Sequence, residues 1–145
     1  MRKILITGSA IAVFLGFVAC KKSDSKSNAR TVENFSGSYA ITALTGNFGG
    51  LSINIYDTLP ACDKDNLIQL NTNMTAAFVD AGTKCAPPSD SSGTWSLSSN
   101  TDTLYLAGSA GFIKSWDGSV LVLASTENIT GIPIPIAVTT TLTKK

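Results

Sequence analysis

The sequence predicts an all-β domain of antiparallel strands, and three observations carry this prediction. From Phe35 onward, apolar and polar residues alternate with a period of two, as in strands with one buried face. Residues that favour turns recur every 8–12 positions, which is typical of the short strands of a sandwich or barrel. Asp117-Gly118 is a strong signal for a two-residue hairpin turn, in which both positions need a positive φ. We therefore expect a single domain over residues 35–145, long enough for one core.

Eight strands follow from this pattern, and short turns join most of them. Their predicted bounds are 35–44, 66–71, 74–80, 93–98, 103–107, 111–116, 119–126 and 132–143. The alternation places one set of side chains inward: Tyr39, Ile41, Ala43, Ile68, Leu70, Ala76, Phe78, Trp95, Leu97, Leu104, Leu106, Ile132, Ile134, Ile136, Val138 and Leu142. In the seventh strand, residues 120–124 are all apolar, so the pattern does not show which of them face inward.

The eighth predicted strand contains Pro133 and Pro135. Residues two apart in a strand point their N–H groups to the same side, and proline has no N–H group. We therefore predict that the barrel is incompletely hydrogen-bonded beside residues 132–136.

The connection between the first two strands is the one long loop, over residues 45–65. A loop of this length is uncommon without local structure of its own. Three glycines near its start would let it fold back sharply, and large apolar side chains follow them: Phe48, Leu51, Ile53, Ile55, Tyr56 and Leu59. We predict a short turn of helix or a packed flap that lies over one end of the barrel.

Three cysteines are present, at positions 20, 62 and 85. Cys62 and Cys85 form an even pair in a chain that carries an export signal, which favours a disulfide. Such a bridge would stabilise the fold by about 3 kcal/mol in the chain-entropy view. A metal site is the weaker alternative, because the chain lacks histidine and a CxxC motif.

Four motifs in this order resemble those of the bacterial lipocalin-like domain lipoproteins. They are GSYAI at 37–41, LPACDKDN at 59–66, GTKC at 82–85 and GTWSL at 93–97. The resemblance covers nearly all of the domain. It implies an eight-stranded antiparallel up-and-down barrel of lipocalin type, attached to a membrane by a lipidated cysteine. It implies no enzymatic activity.

The amino terminus has the pattern of a lipoprotein signal peptide. Arg2 and Lys3 precede an uncharged, mostly apolar run over residues 4–19, shorter than the roughly 20 residues that a spanning helix needs. The run ends in Phe17-Val18-Ala19-Cys20, which is similar to the site where lipoproteins are cleaved before a lipidated cysteine. We expect a signal peptide over residues 1–19, lipidation of Cys20 and a flexible tether over residues 20–34.

Location and excluded functions follow from charge and composition. Lys21 follows the lipidated cysteine where aspartate would favour the inner membrane, so we expect the outer membrane of the cell envelope. Without residues 1–19 the chain has nine basic and ten acidic residues, which gives no basic surface for nucleic acid. Because histidine is absent, neither a Ser–His nor a Cys–His pair is available, and we expect no catalytic residues, cofactor or metal.

Two functions remain open for this barrel, which we expect to be a monomer. It could carry a small apolar ligand, since eight-stranded barrels are just wide enough to hold one. The candidate ligand contacts are Tyr39, Ile41, Phe78, Trp95, Leu104 and Ile136. Alternatively, it could be a structural or protein-interaction module of the envelope with a solid core. A further hypothesis makes the flap a gate over Phe78 and Trp95 that loosens when the Cys62–Cys85 bridge is reduced.

Overall fold

A computed structural model describes residues 28–128 and 135–145. The predicted signal peptide, Cys20, most of the predicted tether, and Ile132, Pro133 and Ile134 lie outside the described residues. The elements in chain order are α1 (Val32–Phe35), β1 (Gly37–Phe48), β2 (Leu51–Asn54), a 3₁₀ helix (Tyr56–Thr58), α2 (Ala61–Lys64), β3 (Leu67–Leu70), β4 (Thr75–Val79), β5 (Ser91–Leu97), β6 (Thr103–Leu106), β7 (Ser109–Trp116), β8 (Val120–Glu127) and β9 (Ile136–Lys144).

The strands form one antiparallel sheet that closes on itself. Its order is β2-β1-β3-β4-β5-β6-β7-β8-β9, and β1 also pairs with β9. Eight strands therefore form a closed up-and-down barrel, which confirms the predicted fold class. The one strand outside the barrel, β2, comes from the predicted flap. It pairs only with the end of β1, at Thr45–Phe48.

A bulge in β1 changes which side chains face inward. Ile41 pairs with Leu142 and Ala43 pairs with Thr141, so one extra residue of β1 lies between them. Tyr39 and Ile41 face inward as predicted, but Ala43 faces outward, and Leu44 and Gly46 take the inward positions opposite Thr140 and Val138. The prediction for Ala43 was wrong because a bulge reverses the parity of every residue that follows it.

One end of the barrel, the closed end, is covered by α1. Thr31 caps this helix through its side chain, and Phe35 packs on Trp116 with ring centroids 4.8 Å apart. The Tyr39 hydroxyl donates to the Phe35 carbonyl at 2.7 Å, and burial raises the pKa of this hydroxyl, which keeps it a donor. Phe35 is thus the last residue of a helix rather than the first of a strand, because its side chain must turn in beneath the barrel.

The chain contacts the barrel before residue 35. Arg30 donates from Nη1 to the Thr101 carbonyl at 3.2 Å, and Val32 packs against the core. Lys144 at the end of β9 donates to the Asn34 carbonyl at 2.9 Å. Residues 30–34 therefore lie on the barrel, whereas the sequence pattern placed them in the tether.

The hydrophobic core fills the half of the barrel next to α1. Its buried members are Phe35, Tyr39, Leu70, Ala76, Trp95, Leu104, Ile113, Trp116, Leu121, Leu123 and Leu142. Leu121 and Leu123 settle the parity of the seventh predicted strand, which the sequence left open. The core therefore fills the half of the barrel next to α1, and a binding site has space only at the opposite end.

The last strand begins at Ile136, directly after Pro135, and not at the predicted residue 132. From there it pairs on both sides, with Glu127 of β8 opposite Ile136 and Asn47 of β1 opposite Ala137. The predicted gap in hydrogen bonding falls mainly on residues outside the described ranges and stays a prediction. Across the residues that are described, the helices are all too short or too polar to cross a membrane.

Candidate functional site at the barrel mouth

The end of the barrel opposite α1 is its mouth. It is bordered by the β1–β2 hairpin, the Ala107-Gly108 turn between β6 and β7, the end of β8 and the start of β9. Two cavities lie there, and both are lined mainly by inward-facing side chains of the strands. The mouth is thus the part of the described structure with space for a ligand among apolar groups.

The first space, the barrel cavity, measures about 300 Å³ and reaches down to the core. Leu104, Leu123 and Leu142, all buried core residues, line its inner part. The apolar residues Ile68, Phe78, Leu106, Ala107, Ala110 and Gly111 and the polar residues Ser109, Ser125, Glu127 and Thr140 complete its lining. The volume is at the lower end of the range for small-molecule sites.

The second space, the flap cavity, measures about 320 Å³ and lies between the flap and the barrel wall. Leu59 and Asp63 line it from the flap, and Ile41 and Leu44 line it from β1. Its other lining residues are Asn66, Leu67, Ile68, Phe78, Val79, Ser89 and Ser91.

Ile68 and Phe78 line both cavities. They are directly paired across β3 and β4, so they form one shared wall. Phe78 is half-buried, in keeping with its position between two open spaces. The two cavities are therefore adjacent and share this wall.

The candidate ligand residues separate into two groups. Ile41, Phe78 and Leu104 line the cavities at the mouth. Tyr39 and Trp95 line neither cavity and lie in the core, where the indole N–H of Trp95 donates to the Asn71 carbonyl at 2.9 Å. Ile136 is buried at the rim, close to Gly46, and lines neither cavity. Alternation alone shows which side chains face inward but not how deep each one lies.

Several cavity residues were missed by the sequence analysis. Leu123, Ser125 and Glu127 of β8 all line the barrel cavity. Their shared parity was hidden by the continuous apolar run in this strand, and the pairing of Leu123 with Thr140 of β9 resolves it. The Asp117-Gly118 signal could not have fixed this register: of its two residues only Gly118 has a positive φ, Trp116 pairs with Leu121, and a bulge between Ile113 and Ser115 shifts the parity.

The flap agrees with the prediction in part: it contains short helical turns, at Tyr56–Thr58 and Ala61–Lys64, but they follow a strand that was not predicted. Its first part is the β1–β2 hairpin, in which Leu51 and Ile53 are 70% and 51% exposed. Only its later part lies over the barrel, where Leu59 and Asp63 contact the space beside Phe78. Trp95 has its hydrogen bond at the closed end, so the flap does not cover it, and the predicted gate over Trp95 was wrong in this respect.

The later part of the flap is fastened to the loop over residues 80–90. Cys62 and Cys85 form the predicted disulfide, with Cα atoms 5.3 Å apart. The side chain of Asn66 accepts from the Ala81 amide at 3.2 Å and donates to Ser89 at 3.0 Å. The Asp65 carboxylate accepts from the Thr83 amide at 2.8 Å.

Asp80 is the buried anchor of this loop. Its carboxylate accepts from the amides of Cys85 at 3.1 Å and Ser89 at 3.3 Å, and its side chain is fully buried. Buried carboxylates need such donors because their desolvation is unfavourable. The residues of the LPACDKDN and GTKC motifs thus hold the flap in place, which gives these motifs a structural role.

A metal site at this point is not supported. Cys62, Asp63 and Cys85 are the one group in the described ranges whose possible ligand atoms lie within 4.8 Å of one another. Both sulfur atoms are bonded to each other, and metal ligation by cysteine requires a free thiolate. The group therefore serves as a covalent link between the flap and the loop.

An open groove of about 780 Å³ lies outside the barrel, between α1 and the turn after β3. Ser38 and Gln69, which face away from the core and pair across β1 and β3, are among its lining residues. Its lining is largely polar, so it offers an apolar ligand little contact. The mouth remains the better candidate site.

A comparison with known protein families gives one match. The family described as the lipocalin-like domain matches residues 35–123, which span β1 to β7, the first half of β8 and both cysteines of the disulfide. No curated protein and no solved structure matches the chain. The barrel, its closed end and its open mouth agree with this match, and the chain belongs to the lipocalin-like domain family.

Proposed function

We propose that this protein is a lipid-anchored lipoprotein of the cell envelope whose barrel mouth binds a small apolar ligand. The observation that carries the binding proposal is the contrast between the two halves of the barrel. The half next to α1 is filled by large side chains, whereas the mouth holds two cavities of about 300 and 320 Å³ lined mainly by apolar groups. If the barrel had only a structural role, we would expect close-packed side chains to fill its mouth as they fill the half next to α1.

The anchoring proposal rests on the amino-terminal residues. The basic start, the apolar run and Cys20 have the order of a lipoprotein signal, and Lys21 favours the outer membrane. Two acyl chains on Cys20 would keep the domain at a bilayer without a spanning helix.

The binding proposal is tested by filling the barrel cavity. Thr140 faces inward from β9 and lines this cavity, so Thr140→Phe should place a large ring in it. We expect the variant to bind the neutral fluorescent probe N-phenyl-1-naphthylamine at least about tenfold more weakly, since it loses most of the apolar contact.

The matched control is Thr139→Phe, in which the same ring points outward from the neighbouring position of β9. It should bind the probe as the unmodified chain does, and both variants should keep the far-ultraviolet circular dichroism of the barrel. Equal probe binding by all three proteins, or no binding by any, would contradict a ligand site in the mouth. The alternative of a solid-core interaction module would then be favoured, for which the exposed Phe112 and Tyr105 on the outer face offer a surface.

A further inference from the structure

Among the residues that the structure describes, the charged side chains lining the two cavities are acidic. Glu127 lines the barrel cavity, and Asp63 lines the flap cavity. The described lining of both cavities contains neither lysine nor arginine. A concave apolar site with carboxylates at its rim has a negative potential that favours cations over anions.

The two lysines nearest the mouth, Lys64 and Lys84, bind backbone carbonyls and line neither cavity. Lys64 donates to the Asp57 carbonyl at 3.2 Å and lies 5.6 Å from the centre of the Tyr56 ring. Lys84 donates to the Asp80 carbonyl. Arg30 and Lys144 bind groups at the closed end of the barrel, so they are far from the mouth along the strands.

Glu127 has the better position to meet a ligand. It is the last residue of β8, at the rim, and its Oε1 accepts from the Ser125 hydroxyl at 3.0 Å. Below it, Leu123 and Leu142 of the same barrel cavity are buried. The cavity is therefore polar and negative at its opening and apolar at its floor, which is complementary to a molecule with the opposite arrangement.

We propose that the mouth takes a cationic amphiphile, a primary amine carried on an apolar body. The apolar body contacts Phe78, Leu104 and Leu123, and the ammonium group lies at the Glu127 carboxylate. This inference rests on the proposed ligand-binding function and adds the sign of the ligand's charge and its orientation in the site.

The test compares three probes that share one alkyl chain and differ in charge: decylamine, decanol and decanoate. At pH 7, low ionic strength and concentrations below micelle formation, calorimetric titration should rank them in the order decylamine, decanol, decanoate. An exposed ion pair supports a preference of about fivefold for decylamine over decanol. Because exposed charges are screened by salt, this preference should shrink in 0.5 M NaCl, a concentration at which the Debye length is about 4 Å.

Glu127→Gln should remove the preference and leave the affinity for decanol unchanged. The matched control is Glu33→Gln, which removes an exposed carboxylate from α1 at the closed end. Decanoate binding as tightly as decylamine, or a preference that survives Glu127→Gln but disappears in Asp63→Asn, would overturn the assignment to Glu127. In those cases binding of decanol would still support the proposed function. If none of the three probes binds, the proposed function and the inference both fail.

Discussion

Single residues at the junction of the flap and the loop over residues 80–90 determine whether the mouth keeps its shape. Gly82 has a φ of +55°, and a Cβ built on it would lie 2.3 Å from an oxygen of Asp65. The same carboxylate accepts from the Thr83 amide, so it cannot move away without losing this bond. Glycine is thus required here for two reasons, the backbone conformation and the close approach of Asp65.

Gly82→Ala should lower the free energy of unfolding by more than the backbone cost of about 1–2 kcal/mol. The matched control is Gly49→Ala, since Gly49 has a φ of +58° and no atom within 4 Å of the added Cβ. Urea unfolding of both variants measures the difference, which isolates the contact with Asp65. Equal destabilisation by the two substitutions would show that the contact has no effect.

Asp80→Asn tests the buried anchor. The amide keeps one acceptor oxygen but turns its NH₂ group toward a backbone donor, which leaves a buried group without a partner. We expect a loss of about 1–3 kcal/mol in the free energy of unfolding. Asp57→Asn, at an exposed position, should change it by less than about 0.5 kcal/mol. A loss in Asp80→Asn no larger than in this control would contradict the anchor.

The turn after β5 gives a prediction on pH. The Thr103 hydroxyl, donating to Asp102 at 2.9 Å, is the main cause of a lowered pKa of that carboxyl, with smaller contributions from Ser98 and Asn100. A carboxyl whose pKa is lower in the folded state stabilises the fold above its unfolded pKa of about 3.9, and this contribution is lost as the pH falls through the folded pKa. Thr103→Val should raise the pKa of Asp102 in an NMR titration. An unchanged pKa would show that this hydrogen bond is not the cause.

At the scale of secondary-structure elements, the strands with large buried side chains differ from the flap, whose position depends on a few contacts. Strands β5 to β8 carry large buried side chains and are joined by short turns. The flap contains two short helices and a strand whose residues are all exposed. It is linked to the barrel by the β1–β2 pairing, by the Cys62–Cys85 bridge and by the bond between Asp65 and Thr83. Segments with few buried apolar contacts open more readily than the core.

Removal of the bridge should therefore act locally. In the Cys62→Ser/Cys85→Ser variant, amide hydrogen exchange should become faster over residues 56–66 and 80–90, while the amides of β6 to β8 keep their protection. Trp95 is 2% exposed and bonded at the closed end, so its quenching by acrylamide should not change. Faster exchange throughout the barrel would show that the bridge supports the whole fold rather than the flap.

At the scale of the whole molecule, the first described residues and the mouth lie at opposite ends of the barrel. The described chain enters at the closed end, where Arg30 bonds to the turn after β5.

Cys20→Ala should release the domain into the soluble fraction, because without acyl chains nothing in the proposed mechanism holds it at a bilayer. The measurement is cell fractionation together with labelling by radioactive palmitate. The unmodified chain should take up the label and remain with the membranes. A membrane-bound Cys20→Ala protein and an unlabelled original would contradict the anchoring proposal.

The sequence alone determined the class of fold and the content of the inner face. Strict alternation fixes which side chains share a face, since the period of a strand is two, and this placed Ile68, Phe78, Trp95 and Leu104 correctly. The even pair of cysteines was enough to predict the bridge between Cys62 and Cys85. These features depend on residue type or on neighbouring residues in the chain, so they can be predicted from the sequence.

Only the tertiary structure determined where the two cavities lie and that α1 covers the closed end of the barrel. The bulge after Ile41, the helical turn at Phe35 and the depth of Trp95 depend on pairing with β9 and on packing beneath the barrel, which join residues about 100 positions apart. Glu127 lies at the mouth because the register of β8 against β9 places it opposite Ile136, the first residue of β9. Alternation leaves register and depth unspecified, and the site depends on both.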